Sequence, residues 1–313
     1  QRDRRSKSLP RHSSTHKYTY THTMCILCVA AAAATADPSS SASTNASQRH
    51  DTDFIVAKFV SPVLFSIGPI SIYSYGLLVA AALGFATLAF DIELTRGNVP
   101  LDVINGFFVF LFGFAVGSKA HLALSAVGAG EPLTWEAFDI RTGHSFMGSQ
   151  VGAVLCMLLY VKWKKIGVFS VLDALLPCCL LGHTIGKIGC FVSGDGCYGP
   201  YADPQKIPWA MSFPNGMMPI DEPVHPTPLY EAVLSFTVFW VSRTWIPLPQ
   251  PEAAAGRRTA LVLVLYGIER CLIEPFRRHP PVEFFGGLTE YQALAVVLFL
   301  IGLTIEVVVR KRL

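Results

Sequence analysis

From Ile70 onward the sequence consists largely of long apolar blocks, and this feature restricts the possible folds more than any other. The first block, ISIYSYGLLVAAALGFATLAF at 70–90, has no acidic or basic residue and is long enough to cross a bilayer, which takes about 20 helical residues. Six more blocks follow, at residues 103–127, 146–161, 168–185, 229–241, 260–274 and 291–309. Only 15% of the residues are charged, whereas soluble domains carry about 25%. We therefore predict an all-α polytopic membrane protein with about seven transmembrane helices.

Residues 1–66 differ in composition and are predicted to form a disordered or targeting extension, with the membrane domain at 67–313. Residues 1–23 carry six Lys and Arg residues against one acid, Asp3, together with many Ser and Thr residues. Such a segment resembles a transit peptide, and the short apolar run MCILCVAAAAATA after it resembles a signal sequence. Alternatively, the protein begins at Met24. The predicted location is the cell membrane, or an organellar membrane if the segment is a transit peptide.

The basic residues between the apolar blocks predict the orientation of the bundle. Alternate loops and the tail place ten Lys and Arg residues on one side, and the remaining loops place five on the other. Cytoplasmic loops carry the excess of Lys and Arg, so we predict a cytoplasmic C-terminus and an outward-facing loop at 186–228. The small net charge of +3 gives no reason to expect a nucleic-acid partner.

Ionisable residues within the apolar blocks are candidates for a functional site. Tyr266, Arg270, Glu274 and Arg277 recur at i, i+4, i+8 and i+11, which predicts one stripe along a helix. One interpretation is an Arg270–Glu274 pair that locks helices together. The alternative is an anion site, since the guanidinium group binds phosphate through two parallel hydrogen bonds.

The segment GHTIGKIGCFVSGDGCYG at 182–199 favours the anion site. Lys187 supplies a positive charge, Asp195 supplies a carboxylate, and the glycines would let the backbone approach a ligand closely. A phosphate-bearing lipid is the natural anion at this depth of a membrane. The residues alone therefore predict an outward-facing phospholipid site in a helical bundle.

Three motifs, GKIGCFVSGDGCYG, HPTPLYE and YGIERCLIEPFR, together resemble those of the prolipoprotein diacylglyceryl transferase family. The shorter segments IYSYGLL and LTEYQ resemble its first-helix and last-helix signatures, so the resemblance spans residues 67–310 in order. It implies a seven-helix membrane enzyme that transfers diacylglyceryl from phosphatidylglycerol to the lipobox cysteine of a prolipoprotein. It implies membrane lipids as surroundings and no metal or other cofactor.

The resemblance also implies roles for individual residues. Arg270 and Glu274 match the essential pair of the family, and Lys187 stands where the family has a phosphatidylglycerol-binding arginine. The other matching positions are Tyr75 as a catalytic residue and Asp195, Gly199, His225, Tyr266 and Arg277 as lipid-binding residues.

Four positions depart from the family pattern: Met147 replaces the expected base histidine, Pro228 replaces a glutamine, Cys190 replaces an asparagine and Lys187 replaces an arginine. His144 and His183 are the alternative bases. A catalytically weakened member that still binds anionic lipid remains an alternative interpretation, as does a small-solute transporter.

Overall fold

The computed structural model describes residues 54–68, 70–128, 130, 145–278 and 287–313. Seven long helices lie among them: α1 (Ser74–Arg96), α2 (Val103–Gly128), α3 (Phe146–Trp163), α4 (Val168–Ser193), α5 (Thr227–Trp245), α6 (Arg257–Ile273) and α7 (Glu290–Arg310). Four of these helices, α1, α2, α4 and α7, are long and apolar enough to cross a membrane. The prediction of a predominantly helical membrane protein is confirmed at this level.

Short strands precede the first helix. Strands β2 (Val63–Ile67) and β3 (Ile70–Tyr73) form an antiparallel hairpin whose turn includes Gly68 at φ 59°, a left-handed conformation that suits glycine. The predicted helix at 70–90 therefore begins only at Ser74. The prediction for residues 1–53 lies outside the described residues; strand β1 (Ile55–Val56) lies within the predicted extension at 1–66, and β2 extends across its boundary.

Helix α4 continues eight residues beyond its apolar block and includes Lys187, which corrects the predicted loop boundary at 186. Gly189 of this segment serves helix packing: a Cβ there would lie 3.2 Å from Leu78 Cβ on α1, in tight contact. The helix ends where Gly194 adopts φ 61°, a common conformation at helix C-termini. The following connection contains β4 (Met211–Phe213) and β5 (Ile220–Val224), and β4 pairs with both β1 and β5.

Glycines allow a close helix contact between α2 and α3. A Cβ at Gly117 would lie 2.2 Å from the carbonyl oxygen of Gly148, and one at Gly152 would lie 2.3 Å from the carbonyl oxygen of Gly113. Only glycine tolerates such distances. Small residues that let helix backbones approach in this way are typical of membrane helix pairs.

The predicted stripe from Tyr266 to Arg277 is not one continuous helix. Helix α6 ends at Ile273, and Glu274–Phe276 form a single 3-10 turn. Pro275 is the physical reason, because proline has no backbone N–H and cannot continue an α-helix without losing a hydrogen bond. Tyr266 and Arg270 therefore lie on the helix, and Arg277 lies in extended backbone beyond it.

Candidate active site

The candidate site is a charged cluster that consists of Glu231 and the three cations that contact it. Glu231 lies in the first turns of α5, and its side chain is fully buried. Its carboxylate accepts a hydrogen bond from Arg270 Nη2 at 2.7 Å and one from Arg277 Nη1, and Lys187 Nζ lies 3.0 Å away. The three cationic side chains are only 8–12% exposed. Three predicted residues from two segments distant in sequence therefore meet on one carboxylate that sequence reasoning did not select.

Arg270 has further contacts besides Glu231. Glu269 Oε1 lies 3.3 Å from Arg270 Nη2 and also accepts a hydrogen bond from Ser235 Oγ at 2.7 Å. The ring of Tyr266 lies 5.4 Å from the guanidinium carbon, within cation–π range. The ion pairs described for Arg270 therefore involve Glu231 and Glu269. The predicted structural pair of Arg270 with Glu274 included neither of these residues.

Glu274 and His183 have different partners. Glu274 is buried and accepts a hydrogen bond from Thr289 Oγ1 at 2.6 Å, at the start of α7. His183 precedes Lys187 by one turn of α4, and its Nε2 lies 3.8 Å from Glu231. The imidazole is thus beside a carboxylate. The alternative base, His144, lies outside the described residues.

Gly199 joins the loop after α4 to the segments that begin α5 and end α6. Its N–H donates to His225 O and its carbonyl accepts from Arg278 Nε, both at 2.9 Å. A Cβ there would lie 2.4 Å from Phe276 O and 2.6 Å from Thr227 Oγ1, so only glycine fits. This junction fixes the backbone from which the Arg277 side chain extends.

The remaining predicted residues are His225, Asp195 and Tyr75. His225 contacts the aromatic rings of Tyr230 and Phe276, and its burial lowers the pKa of its imidazole below the usual range. Asp195 accepts a hydrogen bond from Cys197 N at 3.1 Å within its own turn. Tyr75, in the first turn of α1, packs against the position of Gly189.

One group of potential metal ligands occurs among the described residues. The side-chain ligand atoms of Cys190, Asp195 and Cys197 all lie within 4.8 Å of one another. Lys187 and Arg277 both interact electrostatically with Cys197. Positive neighbours disfavour a bound cation, so the surroundings of these ligands suit an anion better than a metal.

Glu231 and Glu269 are the site residues that sequence reasoning missed. Both are acidic residues within otherwise apolar blocks, at 229–241 and 260–274. The argument that selected Arg270, the cost of an ionisable side chain in a membrane helix, applies equally to them. Glu231 also closes the motif HPTPLYE, so the signal for it was present.

The fold and the site together define a class of protein. It is a helical membrane protein in which several cations are buried around one carboxylate. The sequence model of the prolipoprotein diacylglyceryl transferase family matches residues 62–308. The chain therefore belongs to the prolipoprotein diacylglyceryl transferase family. This confirms the resemblance drawn from the motifs.

Relatives from several organisms agree with the family match over most of their length. A phosphatidylglycerol–prolipoprotein diacylglyceryl transferase of Bordetella avium is 31% identical over 263 residues, covering 80% of this chain and 95% of the relative. Relatives with the same name from Methylococcus capsulatus and Clostridium tetani are 30% and 28% identical, over 79% and 78% of this chain and 94% and 96% of their own length.

Proposed function

We propose that this protein transfers the diacylglyceryl group of phosphatidylglycerol to the cysteine thiol of a prolipoprotein. A carbon–sulfur bond forms, the bond between the glyceryl carbon and the phosphate oxygen breaks, and glycerol phosphate leaves. The observation that carries the proposal is the meeting of Lys187, Arg270 and Arg277 on Glu231 in a chain of this family. The names of the relatives supply the two substrates.

The three cations would hold the phosphate and stabilise the charge that it gains as it leaves. Arg270 Nε is buried and has no hydrogen-bond partner among the described residues, so this donor is available to a ligand. Hydrogen bonds to charged groups are the stronger ones. Two carboxylates, Glu231 and Glu269, contact the three cations, which leaves a positive excess in the contacts described here.

His183 is the proposed acceptor of the thiol proton, because the thiolate is the reactive form of cysteine. Its imidazole lies beside Glu231, whose carboxylate favours the protonated form, whereas burial of the ring and the nearby cations Lys187 and Arg270 favour the neutral form, which is the form that can accept a proton. We expect His183→Gln to lower transfer by about 100-fold or more at neutral pH. Above pH 8.5 a free thiol ionises by itself, so the deficit should shrink as the pH rises. A deficit of equal size across pH 6.5–9.5 would exclude His183 as the base.

The proposed arrangement in the cell membrane is a multi-pass bundle of seven helices with the charged cluster facing outward. Helices α3, α5 and α6 contain 18, 19 and 17 residues, close to the length that a bilayer requires. The ten-to-five distribution of basic residues supports the orientation.

The decisive experiment is transfer of labelled diacylglyceryl from phosphatidylglycerol to a lipobox peptide by the purified protein. We expect Lys187→Arg to retain transfer, since it keeps the charge, and Lys187→Ala to lose most of it. Lys206→Ala is the matched control, because Lys206 lies in the connection after α4 with a side chain that is 82% exposed. Equal transfer by Lys187→Ala and the parent would rule out the phosphate role. Phosphatidylglycerol binding without transfer would identify the weakened, lipid-binding alternative.

A further inference from the structure

A second charged cluster lies at the other end of the bundle, where α1 and α5 end and α6 begins. Its centre is Glu93, which is 1% exposed. The carboxylate accepts hydrogen bonds from Arg96 Nη1 at 3.2 Å, from Arg243 Nη2 at 2.7 Å and from Arg258 Nη1. Arg258 is equally buried and is held further by the carbonyl oxygen of Ile246 at 2.7 Å.

This cluster carries more positive charge than a structural ion pair requires. Arg258 alone neutralises Glu93. The nearby carboxylate of Asp173 accepts hydrogen bonds from Gly256 N, Thr259 N and Thr259 Oγ1 at 2.6–2.8 Å. Even with Asp173 counted, three guanidinium groups face two carboxylates. The side chains of Arg96 and Arg243 remain 57% and 26% exposed, and each donates only one hydrogen bond to a described residue, out of five N–H groups.

A cavity of about 420 Å³ opens beside these arginines. It is lined by Glu93, Arg96, Trp240, Arg243, Thr244, Pro247, Leu248 and Arg258. The volume falls in the range of small-molecule sites. The lining thus combines guanidinium groups, which bind phosphate, with an exposed tryptophan of the kind that is enriched at membrane interfaces.

We propose that this cavity is a second phosphate site, which binds the phosphate and polar head of an anionic phospholipid at the membrane face opposite Glu231. A free glycerol phosphate shares the same chemistry and is the other source that the test distinguishes. The apolar side chains of Trp240, Pro247 and Leu248 favour the lipid, because they offer contact to the glycerol and the upper acyl chain. The proposal does not depend on transfer activity.

The test uses the full-length protein in detergent and phosphatidylglycerol with a photoreactive headgroup, and labelled peptides are located by mass spectrometry. We expect label at 240–258 in the parent. Arg96→Gln should weaken this labelling about tenfold, the usual effect of losing a hydrogen bond to a charged group. Glu93 keeps two arginine partners in that variant. Thr244→Trp, which fills the cavity without changing charge, should abolish the labelling at 240–258.

Arg310→Gln is the matched control, an arginine 73% exposed that pairs only with Glu306 among the described residues. Its labelling should equal that of the parent. Competition by millimolar glycerol 3-phosphate would identify the free ester as the ligand, and competition by phosphatidylglycerol micelles alone would identify the lipid. Equal labelling at 240–258 in the parent, Arg96→Gln and Thr244→Trp would overturn the proposal, as would displacement by phosphatidylcholine. Label at 187–199 reports separately on the Glu231 site.

Discussion

At the residue scale, the candidate active site depends on how one carboxylate holds three cations. Taking a charge out of water costs several kcal/mol unless a partner compensates it. Lys187, Arg270 and Arg277 all find that partner in Glu231. Glu269 also pairs with Arg270, so two carboxylates contact the three cations in the described residues, and this excess of one positive charge supports the proposed anion site. Donors oriented in advance need little rearrangement when charge develops on a ligand.

Replacing the central carboxylate should therefore affect folding as well as activity. We expect Glu231→Gln to destabilise the protein by about 3–5 kcal/mol, since it leaves buried cations without their partner. Thermal unfolding of the purified protein in detergent measures this change. Glu290→Gln is the control, because Glu290 is an exposed glutamate at the start of α7. An unfolding temperature for Glu231→Gln equal to that of the control would contradict this account.

The double variant Glu231→Gln with Lys187→Met distinguishes two roles of Lys187, which are neutralising Glu231 and binding phosphate. It removes one negative and one positive charge, so the net charge of the cluster matches the parent. We expect the unfolding temperature to recover toward the parental value while diacylglyceryl transfer stays low. Full recovery of transfer in the double variant would show that Lys187 serves only to balance Glu231.

The sequence identified the cations of this site but not their partner. Arg270 could be predicted because a positive charge in an apolar block requires explanation, and the family motifs included Lys187 and Arg277 as well. Their meeting on Glu231 depends on which faces of α4, α5 and α6 point at one another. Helix periodicity alone does not determine those rotations. His183 could be named as a candidate base, whereas its position beside Glu231 came only from the structure.

At the scale of elements, hydropathy predicted the long helices better than their ends. Residues 70–73 are as apolar as the block that follows, yet they pair with β2 as a strand. Lys187 lies beyond the apolar block at 168–185, yet α4 continues through it to Ser193. The first difference arises from pairing with the adjacent strand, and the second accompanies packing of the α4 extension against α1. The end of α6 was different, because Pro275 gave a local signal for it.

Gly199 tests whether the junction between elements positions the site. We expect Gly199→Ala to lower transfer strongly and to destabilise the protein by about 1–3 kcal/mol, the usual cost of overpacking. The new methyl group would collide with the backbone at Phe276, one residue before Arg277. Gly84→Ala is the control, since Gly84 lies in α1 with open space around it. Parental transfer by Gly199→Ala would show that the junction tolerates displacement.

At the scale of the whole molecule, the two charged clusters lie at opposite ends of the same helices. Lys187 is near the end of α4 and Arg270 near the end of α6, whereas Asp173 and Arg258 lie near the starts of those helices. Each cluster ties several helices together through one buried glutamate. The sequence predicted a helical bundle and the distribution of basic residues among its loops. That arginines cluster around a buried glutamate at each end of the bundle became clear only from the packing of the helices.

The orientation of these ends in the membrane is the last prediction. The loops at the Glu93 end and the C-terminal tail carry ten Lys and Arg residues, against five on the other side, which predicts that the Glu93 end is cytoplasmic. A fluorescent protein fused after Leu313 should therefore fluoresce, and alkaline phosphatase fused there should be inactive, because that enzyme matures only outside the cytoplasm. Conversely, a cysteine introduced at exposed Glu222 should react with a membrane-impermeant maleimide in intact cells, while Glu306→Cys, near the end of α7, serves as the inner control. Active alkaline phosphatase after Leu313 would show that the bundle has the reverse orientation. The Glu231 cluster would then face the cytoplasm, where no exported prolipoprotein could reach it.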